Sequence, residues 1–210
     1  MKKSMIFLTL LSSMFVAFHL SACNKESDPA SDTTLSKIEK EGLAFMREEE
    51  KMAYDVYTVL YNRWGLTPFL NISQSESSHM AAVKTLLDRY GLVDPAAGKG
   101  AGEYSSPVIQ NLYDLLVLQG DSSSVKALTV GALIEEVDIR DLKEQLLSTN
   151  RTDIQNVYQN LMRGSRNHLR SFVENLSLLG VIYVPQYLST EEYEAIINSP
   201  RETGTGRFGN

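Results

Sequence analysis

The most restrictive feature of this chain is an apolar helical stripe that an acidic residue and a histidine interrupt. Over residues 69–86 apolar side chains recur every three or four positions, the spacing of the buried face of an α-helix. Glu76 and His79 fall on that stripe. Residues three apart share one helical face, so both side chains are predicted to point inward together. A buried carboxylate and imidazole need a partner, and a metal ion is one candidate.

Apolar periodicity predicts four long helices. They cover roughly residues 35–64, 69–90, 124–146 and 153–179, and Gly65, Gly91 and Gly180 mark three of the ends. A loop rich in Gly, Ala and Pro and a short helix, roughly over residues 92–106 and 107–118, separate the two pairs. The predicted fold class is all-α, a four-helix bundle with a long crossover that contains a short extra helix.

The C-terminal part is predicted to form a small appendage. Residues 181–185 are β-prone, and a short helix is expected to begin near Ser189. Residues 199–210 are rich in Gly, Thr and Arg, which favours a disordered tail. The folded helical domain is therefore predicted to span residues 38–198.

The two helix pairs read as an internal repeat. When the second helix is laid on the fourth at the histidines, His168 matches His79 and Ser165 matches Glu76. When the first helix is laid on the third, Glu135 matches Glu50. Each hairpin therefore offers a Glu from its first helix and a His from its second, and the polar interruptions coincide along with the apolar positions.

These interruptions form a set of four carboxylates and two histidines, the inventory of a two-metal site. Carboxylate oxygens and imidazole nitrogens suit iron, manganese or zinc, and four negative charges would neutralise two divalent cations in a low-dielectric core. The same ligands bind all three metals, so the residues by themselves leave iron, manganese and zinc open. The predicted ligands are Glu50, Glu76, His79, Glu135, Asp138 and His168.

The second half of the repeat departs from a full Glu-x-x-His pattern, because Ser165 stands where the carboxylate is needed. Asp138, one turn after Glu135, is the predicted replacement. If Asp138 faces solvent instead, the site is expected to be mononuclear or weak. Asp138 could also pair with Arg140 or Arg170.

Other residues carry alternatives that the sequence leaves open. Each histidine could be a core histidine bonded to a carbonyl or carboxylate. The acidic run over residues 48–50 could be partly a solvated face, and Glu135 and Glu136 are not expected to face inward together, with Glu135 preferred between Ala132 and Ile139. Asn167 and Arg170 could hold site carboxylates in place or be exposed.

Four motifs resemble those of an uncharacterised ferritin-like domain family, domain of unknown function 2202. They are REEEKMAYDVY (47–57), SESSH (75–79), GALIEEVDI (131–139) and GSRNHLR (164–170). The resemblance covers roughly residues 35–197 and implies a ferritin-like four-helix bundle related to rubrerythrins. Rubrerythrin-like proteins use such sites to react ferrous iron with peroxide or oxygen, and their Tyr seven residues after the first Glu is similar to Tyr57. The resemblance therefore implies two iron ions as the expected cofactor, with manganese and zinc as alternatives. The Cys-rich electron-transfer module of rubrerythrins is not matched, because Cys23 is the one cysteine of the chain.

The N-terminus resembles a bacterial lipoprotein signal. Lys2 and Lys3 precede an apolar run over residues 5–20, and the sequence LSAC places Cys23 where a lipid is attached after cleavage. An ordinary secretory signal or a short anchor is the alternative. We expect a signal peptide over residues 1–22, lipidation at Cys23 and a polar tether over residues 23–37. Asn24, rather than Asp, follows the cysteine, so the expected location is the outer membrane or the cell surface.

Charge and composition exclude several function classes. The net charge is −6 and no basic run follows Lys2 and Lys3, so nucleic acid is not an expected partner. Nucleophilic catalysis is disfavoured, because the chain lacks a spare cysteine and a Gly-x-Ser-x-Gly turn. The leading hypothesis is an oxidoreductase acting on oxygen, peroxide or ferrous iron, with Tyr57 bonding a ligand or an oxygen intermediate.

The sequence leaves two other functions and the formation of a homodimer open. The chain could be a metal-binding or storage module without turnover. It could also be a structural bundle that presents its C-terminal tyrosines, Tyr183, Tyr187 and Tyr193, to a partner. The expected partners of the leading hypothesis are the membrane, through the lipid, and a small-molecule oxidant or metal ion, with a homodimer left open.

Overall fold

The computed structural model describes residues 34–204 of the 210-residue chain. In these residues the regular structure is helical, as predicted. The predicted signal peptide, Cys23, most of the tether and the end of the tail lie outside the described residues. The helices are α1 (Lys37–Trp64), α2 (Thr67–Arg89), α3 (Pro107–Gly120), α4 (Ser124–Leu147), α5 (Thr152–Leu178) and α6 (Thr190–Ile197).

The four long helices pack in a ring. α1 lies against α2 and α4, and α5 lies against α4 and α2, so the predicted hairpins α1–α2 and α4–α5 face each other. The crossover helix α3 packs on α1 and α4, and α6 packs on α5. The all-helical prediction and the helix order are confirmed. Within residues 34–204, no helix combines the length and apolarity needed to span a bilayer.

Local sequence signals fix the ends of the first hairpin. Ser36 caps α1 through a reciprocal capping box with Glu39. Gly65 ends α1 in the left-handed region, at φ 65°, which a glycine adopts without strain. Pro68 follows in the first turn of α2, where its missing N–H costs no hydrogen bond. The tight turn makes α1 and α2 antiparallel neighbours.

Two apolar clusters fill the interior and leave a polar layer between them. One cluster contains Tyr57, Phe69 and Phe172 and lies toward the α1–α2 turn. The other contains Met46 and Leu161 and lies toward the start of α1. The acidic and histidine positions of the four helices fall between these clusters along each helix. The charged side chains there are therefore held in a dry, low-dielectric environment.

The crossover loop is fastened to α1 by charged side chains. Glu48 accepts hydrogen bonds from the backbone N–H groups of Ser105 and Ser106, just before α3. Asp55 accepts from Lys51 and from the hydroxyl of Tyr104. Glu48 is buried, so the interpretation of the acidic run as a solvated face is wrong for this residue. These bonds satisfy buried donors of a long loop.

The C-terminal segment returns along α4 and is not a strand in the structure. Glu136 accepts hydrogen bonds from the Tyr183 hydroxyl, at 2.5 Å, and from the backbone N–H groups of residues 186–188. Glu135 and Glu136 are both buried but serve different contacts: Glu135 accepts from Tyr57, and Glu136 accepts from the C-terminal segment. The β-prone prediction for residues 181–185 is wrong, because these residues form no strand and the segment is held to α4 through the Tyr183 hydroxyl and the N–H groups that follow.

The beginning of the predicted disordered tail is attached to α5. Glu202 accepts hydrogen bonds from Arg166 and from Arg170, at 3.1 Å. Asn167 donates to the carbonyl of Glu202 and accepts from its N–H. Arg170 and Asn167 thus hold the C-terminal segment, and the suggestion that they orient site carboxylates is wrong. Residues 200–204 are ordered by these contacts, in contrast to the tail prediction for that part.

Candidate metal centre

All six predicted ligands lie in the polar layer at mid-bundle and are buried. Three helices of the first and second hairpins, α1, α2 and α4, provide the carboxylates, while α2 and α5 provide the histidines. The most exposed of the six retains 8% of its accessible surface. They are Glu50, Glu76, His79, Glu135, Asp138 and His168.

Glu76 is the centre of the cluster. Its Oε2 lies 2.7 Å from Nδ1 of His79, one helical turn along α2. Its Oε1 lies 2.9 Å from Nδ1 of His168 on α5. The two imidazole rings stack with their centroids 5.6 Å apart. One carboxylate therefore contacts a histidine from each hairpin, one through each oxygen.

The hairpins add a second carboxylate on each side. Nδ1 of His79 is 3.2 Å from Oε2 of Glu50, and Nδ1 of His168 is 3.4 Å from Oε2 of Glu135. In the two resulting groups, Glu50–Glu76–His79 and Glu76–Glu135–His168, the candidate ligand atoms all lie within 4.8 Å of one another. Glu76 belongs to both groups. The repeat seen in the sequence is thus a spatial near-symmetry about this residue.

Asp138 lies in the same layer but outside both three-residue groups. Its Oδ2 accepts a short hydrogen bond from Oγ of Ser165, the residue that takes the place of Glu76 in the second half of the repeat. Asp138 is buried, so the alternative of a solvent-facing Asp138 is wrong. Arg140 pairs with Asp141, at 2.7 Å, and Arg170 binds the C-terminal segment, so neither arginine neutralises Asp138.

Several buried polar atoms of the cluster have no hydrogen-bond partner among residues 34–204. They include Oε1 of Glu50, Oδ1 of Asp138 and Nδ1 of His168. The His168 nitrogen is within ion-pair distance of two carboxylates, but its N–H direction is that of a hydrogen bond to neither. Buried polar groups without partners are rare, and each costs free energy. Atoms left free at the centre of a charged cluster are where a cation would bind.

The charged groups of the cluster shift one another's pKa values, and the two histidines and Glu76 favour their charged forms. Burial disfavours the charged imidazole, yet the pKa of His79 is raised well above its usual value by Glu76 and Glu50. The pKa of His168 is raised to about 10, against burial, by Glu76 and Glu135. Burial would raise the pKa of Glu76, but the two histidines hold it below its usual value. Without another cation, the histidines therefore carry the positive charge that Glu76 requires.

The remaining carboxyls are pushed toward the neutral form. Burial and Asp138 raise the pKa of Glu50 well above its usual value. Burial also raises the pKa of Glu135, although His168 opposes it. Burial and Glu135 raise the pKa of Asp138 to about 7. With all four carboxyls ionised, the charges of two imidazolium rings would leave a deficit of positive charge, and without a metal ion this deficit is met by protons kept on the carboxyls.

Tyr57 lies beside this layer. It is fully buried on α1, and its hydroxyl donates a 2.5 Å hydrogen bond to Oε1 of Glu135. Burial and Glu135 raise its pKa well above the usual value, so the phenol keeps its proton. Its ring packs against Phe69 and Phe172 at centroid distances of 5.9 and 5.3 Å. The predicted tyrosine is therefore a fixed donor to one candidate ligand.

Two contacts that the sequence analysis missed position the histidines. Nε2 of His168 is 3.0 Å from Oγ of Ser75, the residue before Glu76. A Cβ on Gly164 would lie 2.6 Å from Nε2 of His79, so only glycine lets this ring lie so close to α5. A bond to the far nitrogen fixes a histidine tautomer, which leaves Nδ1 to act as a ligand. A serine next to the motif glutamate and a glycine four residues before His168 were the available signals.

Glu49 is also buried, and the interpretation of this residue as solvated is wrong. Its Oε2 has no hydrogen-bond partner. Burial together with Asp138 and Asp141 raises its pKa well above the usual value. Glu49 is thus a neutral acid in contact with the carboxylates of α4, adjacent to the candidate ligands but outside both three-residue groups.

The donor set fits divalent transition-metal ions. Neutral imidazole and carboxylate ligands suit iron, manganese and zinc, whereas calcium and magnesium sites are built of oxygen ligands. The free atoms of Glu50, Asp138 and His168 and the deficit of positive charge are both removed when cations replace the imidazole protons. The residues present therefore fit a metal-binding role.

Fold and cluster together define a helical bundle with a buried carboxylate–histidine cluster that could hold metal ions. The chain belongs to the family described as uncharacterized protein domain (DUF2202), whose pattern matches residues 39–200. The family region contains the whole cluster and the four long helices except for the first two residues of α1.

The chain is similar to the uncharacterized protein MJ0754 of Methanocaldococcus jannaschii. The two are 53% identical over 173 residues, which are 82% of this chain and 94% of the relative. The crystal structure of this hypothetical protein superposes on the present one with a TM-score of 0.79, over 80% of this chain and 97% of that chain. At this identity the relative has the same helical fold.

Proposed function

We propose that this protein is a ferritin-like oxidoreductase with two metal ions, most suitably iron, that acts on peroxide, oxygen or ferrous iron. The observation that carries the proposal is the position of Glu76, which is shared by two groups that each add one Glu and one His. Such a shared carboxylate between paired Glu and His residues is the design of carboxylate di-metal bundles. A structural bundle would have no use for this arrangement, because it leaves buried atoms without partners.

Each half of the cluster would hold one ion. Glu50 and His79 would hold the first, Glu135 and His168 would hold the second, and Glu76 would contribute to both. Asp138 supplies the carboxylate that Ser165 does not, through its unbonded Oδ1, and Ser165 holds its other oxygen. Four carboxylates then balance two divalent cations, and both histidines bind as neutral ligands.

An iron pair supplies the one-electron redox steps that no side chain of the cluster supplies at neutral pH. The chain's own residues do the rest. The two apolar clusters exclude bulk water from the layer. Ser75 and Gly164 set the orientation of the histidine rings. The hydroxyl oxygen of Tyr57 lies 2.5 Å from Oε1 of Glu135, at the edge of the site, where its proton could be delivered to a reduced oxygen product.

We further propose that the protein is exported and anchored by lipid at Cys23. This proposal rests on the sequence over residues 1–23, which lie outside the described part of the chain. Incorporation of labelled fatty acid in a bacterial host tests it. A Cys23→Ser variant should lose the label and be released from the membrane fraction. Equal labelling of both proteins would contradict the anchor.

The catalytic proposal is tested by ferrous iron oxidation and peroxide consumption. The metal-free protein is loaded anaerobically with ferrous iron and mixed with peroxide or with oxygenated buffer. We expect iron oxidation faster than in buffer for the wild type and no acceleration for Glu76→Gln. Tight metal binding without acceleration by any oxidant would instead favour a metal-binding or storage module. Neither binding nor acceleration would leave a structural bundle.

A further inference from the structure

The stripe of α1 that carries Glu50 continues, beyond the metal layer, as a row of oxidisable aromatic side chains. Tyr57, Tyr61 and Trp64 follow Glu50 at steps of seven, four and three residues. At 100° per residue these positions fall within a narrow sector of the helix, so all four side chains share one face. The helical rise per residue separates Tyr57 from Tyr61 by roughly 6 Å and Tyr61 from Trp64 by roughly 4.5 Å along the helix axis.

The row runs from a fully buried tyrosine beside the site to two partly exposed aromatic side chains near the end of α1. Tyr57 is fully buried and bonded to Glu135, while Tyr61 and Trp64 are half-buried and packed against the same apolar cluster. The indole N–H of Trp64 donates a 2.9 Å hydrogen bond to the carbonyl of Gly120, at the end of α3. Trp64 is the one tryptophan of the chain, and it lies at the last residue of α1.

We propose that Tyr57, Tyr61 and Trp64 form an electron relay between the candidate metal centre and the protein surface. The relay rests on the proposed redox function of the centre. It supplies what that function lacks in this chain, a route for electrons from an external donor. The row begins at a hydrogen bond to a candidate ligand and ends at a solvent-contacting indole. A phenylalanine row would pack the core as well but could not be oxidised.

The electrons and protons of peroxide reduction balance when they pass through these residues. Reduction of one hydrogen peroxide to two waters takes two electrons and two protons. For each electron, Tyr57 gives one electron inward and its hydroxyl proton to Oε1 of Glu135, which already accepts its hydrogen bond. An electron from Trp64 then passes through the Tyr61 ring and reduces the Tyr57 radical, and the proton returns from Glu135 to Tyr57. A one-electron donor at the surface then reduces the indole cation, and solvent supplies the protons consumed.

The surface around Trp64 fits an outer-sphere donor that does not enter the bundle. The guanidinium of Arg63 lies 5.1 Å from the ring centroid of Trp64. It is paired with Asp121 at 2.8 Å, so the charge beside the indole is partly balanced. Ferrocyanide is a suitable probe donor, because it transfers one electron and is too large and too charged to reach the metal layer. Two ferrocyanide ions are oxidised per peroxide.

The relay is tested first in the metal-free full-length protein, so that the result does not depend on the metal function. Azide radicals, generated by a radiolysis pulse, oxidise exposed indole rings in preference to phenols. We expect the Trp64 radical to decay in a first-order step, independent of protein concentration, while a tyrosyl radical appears. Tyr61→Phe should slow this step, and Tyr90→Phe, a tyrosine at the opposite end of α2, should leave it unchanged. Equal rates in Tyr61→Phe and the wild type would overturn the proposal.

The second arm uses the iron-loaded protein. Trp64→Phe should lose peroxide-driven ferrocyanide oxidation but retain single-turnover oxidation of its own ferrous iron, because only the external electrons use the relay. Circular dichroism and thermal unfolding establish that the variant is folded. Retention of ferrocyanide oxidation by Trp64→Phe would overturn the relay. Radical transfer in the metal-free protein together with an inert iron-loaded protein would overturn the proposed function and leave the relay standing.

Discussion

Oε1 of Glu76 on α2 lies 2.9 Å from Nδ1 of His168 on α5, a contact between the two helical hairpins. Its other oxygen, Oε2, is 2.7 Å from His79 of its own helix. Glu76 is therefore the residue through which the two halves of the repeat meet. In the proposed centre this carboxylate is shared by both metal ions, which makes it the most sensitive position of the site.

Glu76→Gln should abolish binding of both ions, since each loses a shared anionic ligand. The measurement is the metal content after loading and desalting. Glu136→Gln is the matched control, a buried glutamate of α4 whose bonds all go to the C-terminal segment. It should retain the metal and lose about 1–3 kcal/mol of unfolding free energy, the cost of weakening a charged acceptor. Equal metal content in both variants would contradict the assignment of Glu76.

Gly164→Ala should weaken metal binding more than it weakens folding. The added Cβ would lie 2.6 Å from Nε2 of His79 and push the ring away from Glu76. Gly100→Ala is the control, because its Cβ would meet only Glu103, at 3.4 Å. Metal affinity by competition with a chelator and thermal unfolding of the metal-free proteins are compared. An unchanged affinity in Gly164→Ala would show that the position of this ring is unimportant.

Asp138→Asn should have opposite effects on the two forms of the protein. In the metal-free form above about pH 7, the variant removes an ionised carboxyl beside Glu135, so its melting temperature should rise. In the metal-loaded form it removes a ligand, so the melting temperature and the number of bound ions should fall. A fall in both forms would indicate that Asp138 acts only through its hydrogen bond with Ser165.

The metal-free protein should lose stability as the pH rises. The pKa of His168 is raised from 6.5 to about 10, so its contribution is complete below pH 6.5 and disappears as the pH rises through 10. The pKa of Asp138 is raised from 3.8 to about 7, so ionising it costs stability between these values, in the same direction. Metal ions displace these protons, so metal affinity should rise with pH and binding should release protons. Calorimetry in two buffers of different ionisation enthalpy measures that release.

The sequence predicted the helices and the inward residues because both follow from apolar periodicity. The helix order, the antiparallel hairpins and the burial of Glu76 and His79 follow directly from positions three and four apart. Glu135 is preferred over Glu136 because it lies between Ala132 and Ile139, and the repeat matches it to Glu50. For these residues the helical face predicted from the sequence is the face that is buried in the structure.

The contacts that the sequence could not predict depend on the third dimension. The sequence around Glu48 and Glu136 is compatible with an exposed as well as a buried side chain. Both are buried because segments distant in sequence fold over them and donate hydrogen bonds to their carboxylates. Ser165 looked like a lost ligand, but the structure shows it bonded to Asp138. Arg170 matched a supporting role by spacing, yet it faces the C-terminal segment. Helical periodicity predicts which side chains share a face of a helix. Which segment packs on that face depends on the path of the whole chain, which periodicity does not give.

The most direct test of the central claim is the metal content of the protein, measured by elemental analysis after anaerobic loading with ferrous iron and removal of free metal. The arrangement of two three-residue groups around Glu76 predicts close to two iron ions per chain. The loaded protein should also melt at a higher temperature than the metal-free form, because the ions bind only the folded state. One ion per chain would contradict the shared role of Glu76. Retention of no iron, manganese or zinc would contradict the metal centre itself.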